Sequence, residues 1–252
     1  MHLLVIKDLS VIFGGLHALN DFHMFVDDRE IVGLIGPNGA GKTTVFNLLT
    51  GVYAPSGGAI RFEGESLIDK KPFQINRIGI ARTFQNIRIF KNMTVLDNIK
   101  VAMQQDMKYT VLAGMTRMPF FWSEEKKVDA KARKMLEIFD MEETAEHTAA
   151  NLPYGLQRKL EILRALASNP KLLLLDEPAA GMNPTETREL METIRKIRDD
   201  FKIAILLIEH DMSLVMNVCE RLYVLDYGNL IALGTPEQIR ANEKVITAYL
   251  GS

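Results

Sequence analysis

No stretch constrains the fold more than the apolar run Ile31-Val-Gly-Leu-Ile35, which ends in Gly36-Pro37-Asn38-Gly39-Ala40-Gly41-Lys42-Thr43 and continues as Thr44-Val-Phe-Asn-Leu-Leu49. A short buried strand that turns through glycines into a helix gathers unpaired backbone N–H groups and the positive end of the helix dipole at one point. Phosphate oxygens suit that point. Gly36, Gly39 and Gly41 let the backbone face the phosphates, with Pro37, Asn38 and Ala40 between them and Thr44 opening the helix. Lys42 is expected to reach the β and γ oxygens, and Thr43 to offer its hydroxyl to Mg²⁺.

Two later runs, Leu172-Leu-Leu-Leu175 and Ile203-Ala-Ile-Leu-Leu-Ile208, are apolar without alternation. Such runs are expected of strands covered on both faces, so a parallel sheet is implied. The first ends in Asp176-Glu177-Pro178 and the second in Glu209-His210-Asp211. Asp176 is placed to hold Mg²⁺ through its water shell, and Glu177 to act as general base on an attacking water. His210 would stand at the same carboxyl edge of the sheet, where ligands bind in such folds. Behind Asn183-Pro184, the residues Leu190, Ile194, Ile197 and Phe201 keep helical spacing, with Asn183 as N-cap and Glu186 as its capping-box partner. Leu3 to Gly36 reads as short strands separated by turns.

The middle of the chain differs. Val128, Ala132, Met135, Leu136 and Phe139 mark an amphipathic helix, with Ser123-Glu124-Glu125 as a favourable start. The expectation is a single α/β domain over 1–252, with a phosphate-binding α/β core of 1–88 and 159–252 interrupted by a helical subdomain at 89–158. At the end of that subdomain, Asn151-Leu-Pro-Tyr-Gly-Leu-Gln157 places a Pro, an aromatic and Gly155 ahead of a strongly helical run, a start suited to receiving an anion.

Composition narrows the partners. Thirty basic and 32 acidic residues nearly cancel, so no overall field favours nucleic acid or an anionic membrane, and no nucleic-acid partner is expected. The single cysteine, Cys219, excludes an internal disulfide framework and fits a reducing cytosol. Met1 to Lys7 does not read as a signal peptide. The weakly charged stretch Tyr109 to Trp122, which includes Met115, Met118, Phe120 and Phe121, is broken by Arg117 and Pro119 and falls short of the roughly 20 apolar residues of a spanning helix. No transmembrane segment is expected.

Taken together, these motifs resemble the ATP-binding subunits of ABC (ATP-binding cassette) transporters, in order and over essentially the whole chain. The resemblance implies a P-loop NTPase (RecA-like) parallel-sheet core, an N-terminal antiparallel β part and an inserted helical subdomain. It implies ATP and Mg²⁺ as cofactors and ATP hydrolysis as the activity. By the same resemblance Phe13 stacks on adenine, and Gln85 in Thr83-Phe84-Gln85-Asn86 senses Mg²⁺ and the attacking water. His210 becomes the switch histidine at the γ-phosphate. Leu152 to Gln157 stands where the family has Leu-Ser-Gly-Gly-Gln, a helix start that completes the ATP site of a second subunit in trans. Here Pro153 replaces the Ser, Tyr154 the first Gly and Leu156 the Gln, while Gly155 is retained; Asn183 replaces the usual Asp of the loop before its helix.

Phe13-Gly-Gly, Glu177-Pro-Ala-Ala-Gly-Met-Asn-Pro184, Glu209-His-Asp211 and Gly234-Thr-Pro-Glu-Gln-Ile-Arg240 further resemble the LivG-type subunits of bacterial importers for branched-chain amino acids. Importers for urea or short amides and the ATPase of lipopolysaccharide export share much of this pattern. A soluble ABC-type ATPase is the remaining alternative. The resemblance implies a peripheral subunit on the cytoplasmic face of the inner membrane, working with transmembrane permease subunits. It also implies a second ATP-binding subunit, with a mixed pair favoured over two copies, and indirectly a periplasmic substrate-binding protein. Ile87, Arg88, Ile89, Phe90 and Met93 are candidates for gripping the permease.

Overall fold

Five neighbouring strands deliver their carboxyl ends to one edge of a sheet, and the apolar runs account for the central three. The computed structural model describes residues 2–106 and 119–250. β3 (Ile31–Ile35), β7 (Leu172–Asp176) and β8 (Ala204–Ile208) are buried at every position, as strands covered on both faces must be. With β6 (Ile80–Arg82), β9 (Arg221–Asp226) and β10 (Asn229–Gly234) they form a six-stranded sheet of order β10-β9-β3-β8-β7-β6. Every pairing from β9 to β6 is parallel, and only β10 is antiparallel to its neighbour. Leu34 and Asp176 both register with Ile208, so the residues following β3, β7 and β8 emerge side by side.

A second sheet of order β2-β1-β4-β5 is antiparallel throughout. Its first strands are longer than the short ones expected. β1 (Leu4–Phe13) has 10 residues and β2 (Leu16–Val26) has 11. The polar residues that look like strand ends are absorbed as bulges: Asp8 and Asp21 take φ of 50° and 41° beside register shifts, and the pairing resumes. β4 (Gly57–Phe62) and β5 (Glu65–Ser66) complete that sheet. One cluster containing Leu4, Ile6, Phe22, Phe62, Leu206 and Tyr223 joins the two sheets around Val45, Phe46 and Leu49 of α1 (Lys42–Leu49).

The chain divides into two compact units, residues 1–85 with 171–252, and residues 86–170. The second is helical, with α3 (Val95–Ala102), α4 (Pro119–Ile138) and α5 (Tyr154–Leu166), α2 (Pro72–Arg77) belonging to the first. The boundary expected at 158 falls inside α5, which lies wholly in the helical unit. Gly155 marks where that helix begins, and the α/β unit resumes only at Lys171. Ser123-Glu124-Glu125 is likewise inside α4 rather than at its start. Those acids are accounted for by ion pairs, Glu124 with Lys127 at 2.8 Å and Glu125 with Lys100 at 3.6 Å. Ala132, Met135, Leu136 and Phe139 are buried, as their spacing requires.

Of the stretch Tyr109 to Trp122, residues 109–118, Met115 and Met118 among them, and the side chains of Phe120 and Phe121 lie outside the described residues; Trp122 is exposed on α4. Among the described residues, no helix is long and apolar enough to cross a membrane.

Candidate nucleotide-binding and catalytic site

The loop between β3 and α1 needs its glycines for steric reasons. Gly36 has φ 149°, and a Cβ there would lie 2.0 Å from the Leu225 carbonyl oxygen. At Gly41, φ is 106° and a Cβ would come within 2.8 Å of the Ala18 oxygen. Only a residue without a side chain fits either place. Lys42 is buried, and its ammonium donates to the carbonyls of Gly36 at 2.6 Å and Pro37 at 2.8 Å. Burial pushes the Lys42 pKa down, while the negative charges of Glu177 and Asp176 pull it back up.

Around this loop opens a cleft of 450 Å³ lined by Phe13, Leu16, Asn38 to Thr44, Glu177 and Tyr227. Phe13 ends β1, is 42% exposed beside the cleft it lines, and meets the Tyr53 ring edge-on at 5.2 Å. Thr43 is exposed at the first turn of α1.

At the β7 exit the two carboxylates part company. Asp176 is 5% exposed and accepts from the Arg82 guanidinium at 2.7 Å. Glu177 takes a left-handed φ of 46°, and its N–H donates to Ile208 at 2.9 Å, so its side chain turns into the cleft. A non-glycine residue held there carries backbone strain of about 1–3 kcal/mol, which marks functional positions more often than others. Gln85 donates its amide N–H to Glu177 Oε2 at 2.7 Å. The Nδ1 of His210 lies 3.8 Å from that same oxygen. Gln85, Glu177 and His210 therefore converge from three strand exits on one carboxylate oxygen.

The structure thus gathers Phe13, Gly36 to Thr44, Gln85, Asp176, Glu177 and His210 in the α/β unit. Gly155 sits in the helical unit, in the first turn of α5 behind Pro153, where no side chain caps the helix. Tyr154 uses its hydroxyl to accept from Arg158, which is fully buried. Several neighbours escape sequence reasoning. Tyr227 lines the cleft from the β9–β10 turn, where a polar turn was the only available signal. Arg82, Thr83 and Glu209 are buried polar residues at strand ends, and no local pattern sets them apart.

Mg²⁺ prefers hard oxygen ligands and keeps several waters. Thr43 Oγ1, the Asp176 carboxylate and the Gln85 amide oxygen are all of that kind, and Arg82 engages Asp176 through Oδ2. The donor set fits. Among the described residues no group of three His, Cys, Asp or Glu is placed to hold a metal by itself.

The family model for ABC transporters matches residues 19–180, from β2 to the loop past Glu177. The chain belongs to the ABC transporter family. A second model, described as branched-chain amino acid ATP-binding cassette transporter, matches residues 229–252. The cassette is 48% identical over 249 residues, 99% of this chain and 98% of the relative, to the high-affinity branched-chain amino acid transport ATP-binding protein LivG of Salmonella typhimurium. Identity is 46%, with the same coverage, to BraF of Pseudomonas aeruginosa, whose name is otherwise the same. It is 34% over 253 residues to the lipopolysaccharide export system ATP-binding protein LptB of Escherichia coli, with 100% of this chain and 98% of the relative covered. Among solved structures, the ADP conformation of an ATP-binding cassette of an ABC transporter superposes with a TM-score of 0.86 at 30% identity, covering 100% of both chains. The cassette is an ATP-binding and ATP-hydrolysing subunit with the P-loop NTPase fold, similar over its full length to LivG-type proteins.

Proposed function

We propose that the cassette powers uptake of branched-chain amino acids, working on the cytoplasmic face of the membrane with transmembrane permease subunits and a second, similar cassette. The higher identity to LivG and BraF than to the lipopolysaccharide export relative, together with the C-terminal family match, supports the cargo. A periplasmic substrate-binding protein would deliver that cargo.

One observation carries the chemical reading: Gln85 and His210 both face Glu177 Oε2. Phe13 stacks on the adenine. Backbone N–H groups from Gly36 to Thr44 hold the phosphates, and Lys42 trades carbonyl partners for phosphate oxygens. Glu177 takes the proton of the attacking water, Gln85 orients that water, and His210 holds the γ-phosphate in line. Thr43, Asp176 and Gln85 would hold Mg²⁺, which when bound neutralises charge on the β and γ oxygens. Gly155 and the start of α5 would meet the γ-phosphate of the second subunit, so the two sites close together when ATP bridges the pair.

The test is uptake of labelled leucine by the native complex in proteoliposomes loaded with ATP. Glu177→Gln should abolish uptake and turnover while leaving an ATP-bound dimer that persists through gel filtration. Undiminished turnover in that variant rejects Glu177 as the base, and failure of the wild-type complex to transport any branched-chain amino acid rejects the cargo.

A further inference from the structure

Glu209 is an acid in an unusual setting. It is 0% exposed, it directly precedes His210, and its carboxylate is satisfied by backbone N–H donors from two different loops. Oε1 accepts from Ala179 at 2.7 Å, in the loop that leaves Glu177. Oε2 accepts from His210 at 3.1 Å and from Asp211 at 3.4 Å, in the loop that leaves β8. The same Oε2 lies 3.7 Å from His210 Nδ1. Burial raises the Glu209 pKa above the ordinary carboxylate range, and the three backbone donors oppose that rise by favouring the charged form.

A neutral hydroxyl or amide would fill this space at lower desolvation cost. What a carboxylate adds is acceptor capacity on both oxygens at once, with no donor to conflict with an N–H. We infer that Glu209 is a positioning residue for hydrolysis: it bolts the Glu177 exit loop to the His210 loop and so fixes where His210 stands relative to the base. The inference rests on the role given above to His210, and it extends to Ala179 because one carboxylate bridges both loops. Asp211 supports the same geometry from the other side, its Oδ1 accepting from Ser213 at 2.8 Å and Leu214 at 3.2 Å as the N-cap of α7 (Met212–Val218).

Glu209→Gln is nearly isosteric but turns one acceptor into a donor. It can serve Ala179 or the pair His210 and Asp211, and it cannot serve both. In the native complex this change should lower the ATPase kcat about tenfold while KM for ATP stays within about threefold, since nucleotide binding does not pass through Glu209. The deciding measurement is a double-mutant cycle with His210→Ala, accompanied by a thermal melt and by binding of a fluorescent ATP analogue to each variant. If Glu209 acts through His210, adding Glu209→Gln to His210→Ala should change the remaining rate by less than about twofold.

A tenfold loss that persists in the His210→Ala background overturns the inference, as does a Glu209→Gln variant with wild-type kcat. An unchanged rate in His210→Ala alone removes the role of His210 itself, an outcome visible before Glu209 is touched. Should Glu209→Gln fail to fold, Glu209→Asp, which keeps two acceptors on a shorter stem, carries the same cycle with the same criteria.

Discussion

Arg82 ties together three parts of the site that the chain order keeps apart. Its guanidinium donates to Asp176 at 2.7 Å, to Asn47 at 2.8 Å and to Thr50 at 3.3 Å, and it lies over the rings of Phe46 and Phe84 at 5.4 and 5.1 Å. Asn47 belongs to α1 and Thr50 is its C-cap, while Arg82 itself ends the strand leading to Gln85. The side chains of both partners of the ion pair are 7% exposed, so removing one leaves a buried charge without its main partner. Arg82→Met should therefore cost about 3–5 kcal/mol of stability, read by urea denaturation of the cassette. Arg82→Lys, which keeps the charge but not the fork of donors, should lose clearly less. Equal losses in the two variants would show that shape rather than charge matters at this position. Residues of this kind are invisible to sequence reading. Lys42, Thr43, Asp176 and Glu177 are legible because their roles depend on chain neighbours: a strand, a glycine turn, a helix. The Arg82–Asp176 and Glu209–Ala179 pairings depend on which strands lie side by side, and they join positions 94 and 30 residues apart.

Helix starts show what cap chemistry makes legible in an element. Asn183 accepts from Thr185 at 2.9 Å and Glu186 at 3.0 Å, and the Glu186 carboxylate accepts from the Asn183 N–H at 2.9 Å. That is the box expected from the residues alone, and it opens α6 (Pro184–Phe201). The start of α5 is the opposite case. Pro153 occupies the N-cap with ψ 152° and brings no side-chain acceptor to the first turn. Its backbone already suits a capping residue. Pro153→Ser should stabilise the cassette by about 1 kcal/mol through its hydroxyl, as a serine cap does elsewhere. If α5 completes an ATP site in trans, that hydroxyl also supplies a hydrogen bond to a charged oxygen, worth about 1.5–3 kcal/mol where geometry allows. ATP turnover of the assembled complex should then rise, and unchanged turnover rejects the idea that this substitution weakens the composite site. The extent of α5 is less legible than its start, because the helical pattern continues smoothly across residue 158 and no local signal marks a unit boundary there. Long β1 and β2 were obscured for a related reason: Asp8 and Asp21 resemble strand ends, and only their positive φ values reveal bulges within a continuing ladder.

At the scale of the whole molecule, the segment after Gln85 is the part of the helical unit best prepared to meet a partner. Phe90 is 44% exposed and Met93 37%, and Arg88 is exposed beside them. Ile87 and Ile89 are half-buried, so of the five candidates these three remain as surface. The backbone beneath them is held firmly. Buried Asn98 bonds both the N–H and the carbonyl of Phe90, at 2.8 and 3.0 Å, and Glu161 accepts from the Arg88 N–H at 3.0 Å. Glu161 is in turn paired with buried Arg158 at 2.8 Å, and Arg164 stacks over Phe90 at 4.5 Å. Apolar and basic groups presented on a pinned backbone lose little conformational entropy on docking, which favours a specific protein partner. Detergent extraction of the native complex through a tag on this chain, followed by mass spectrometry, should recover two multispanning permease subunits and a second cassette. Phe90→Asp should release the permeases while the purified variant keeps its ATP affinity, because Phe90 is not one of the residues that line the nucleotide cleft. Recovery of soluble partners alone would reject the transport reading, and two copies of this chain with no second cassette would reject the mixed pair. If the substituted α5 start weakens one of the two composite sites of a mixed pair, a complex with both cassettes should show one fast and one slow phase of ATP turnover in a single-turnover assay, and a single phase rejects the asymmetry.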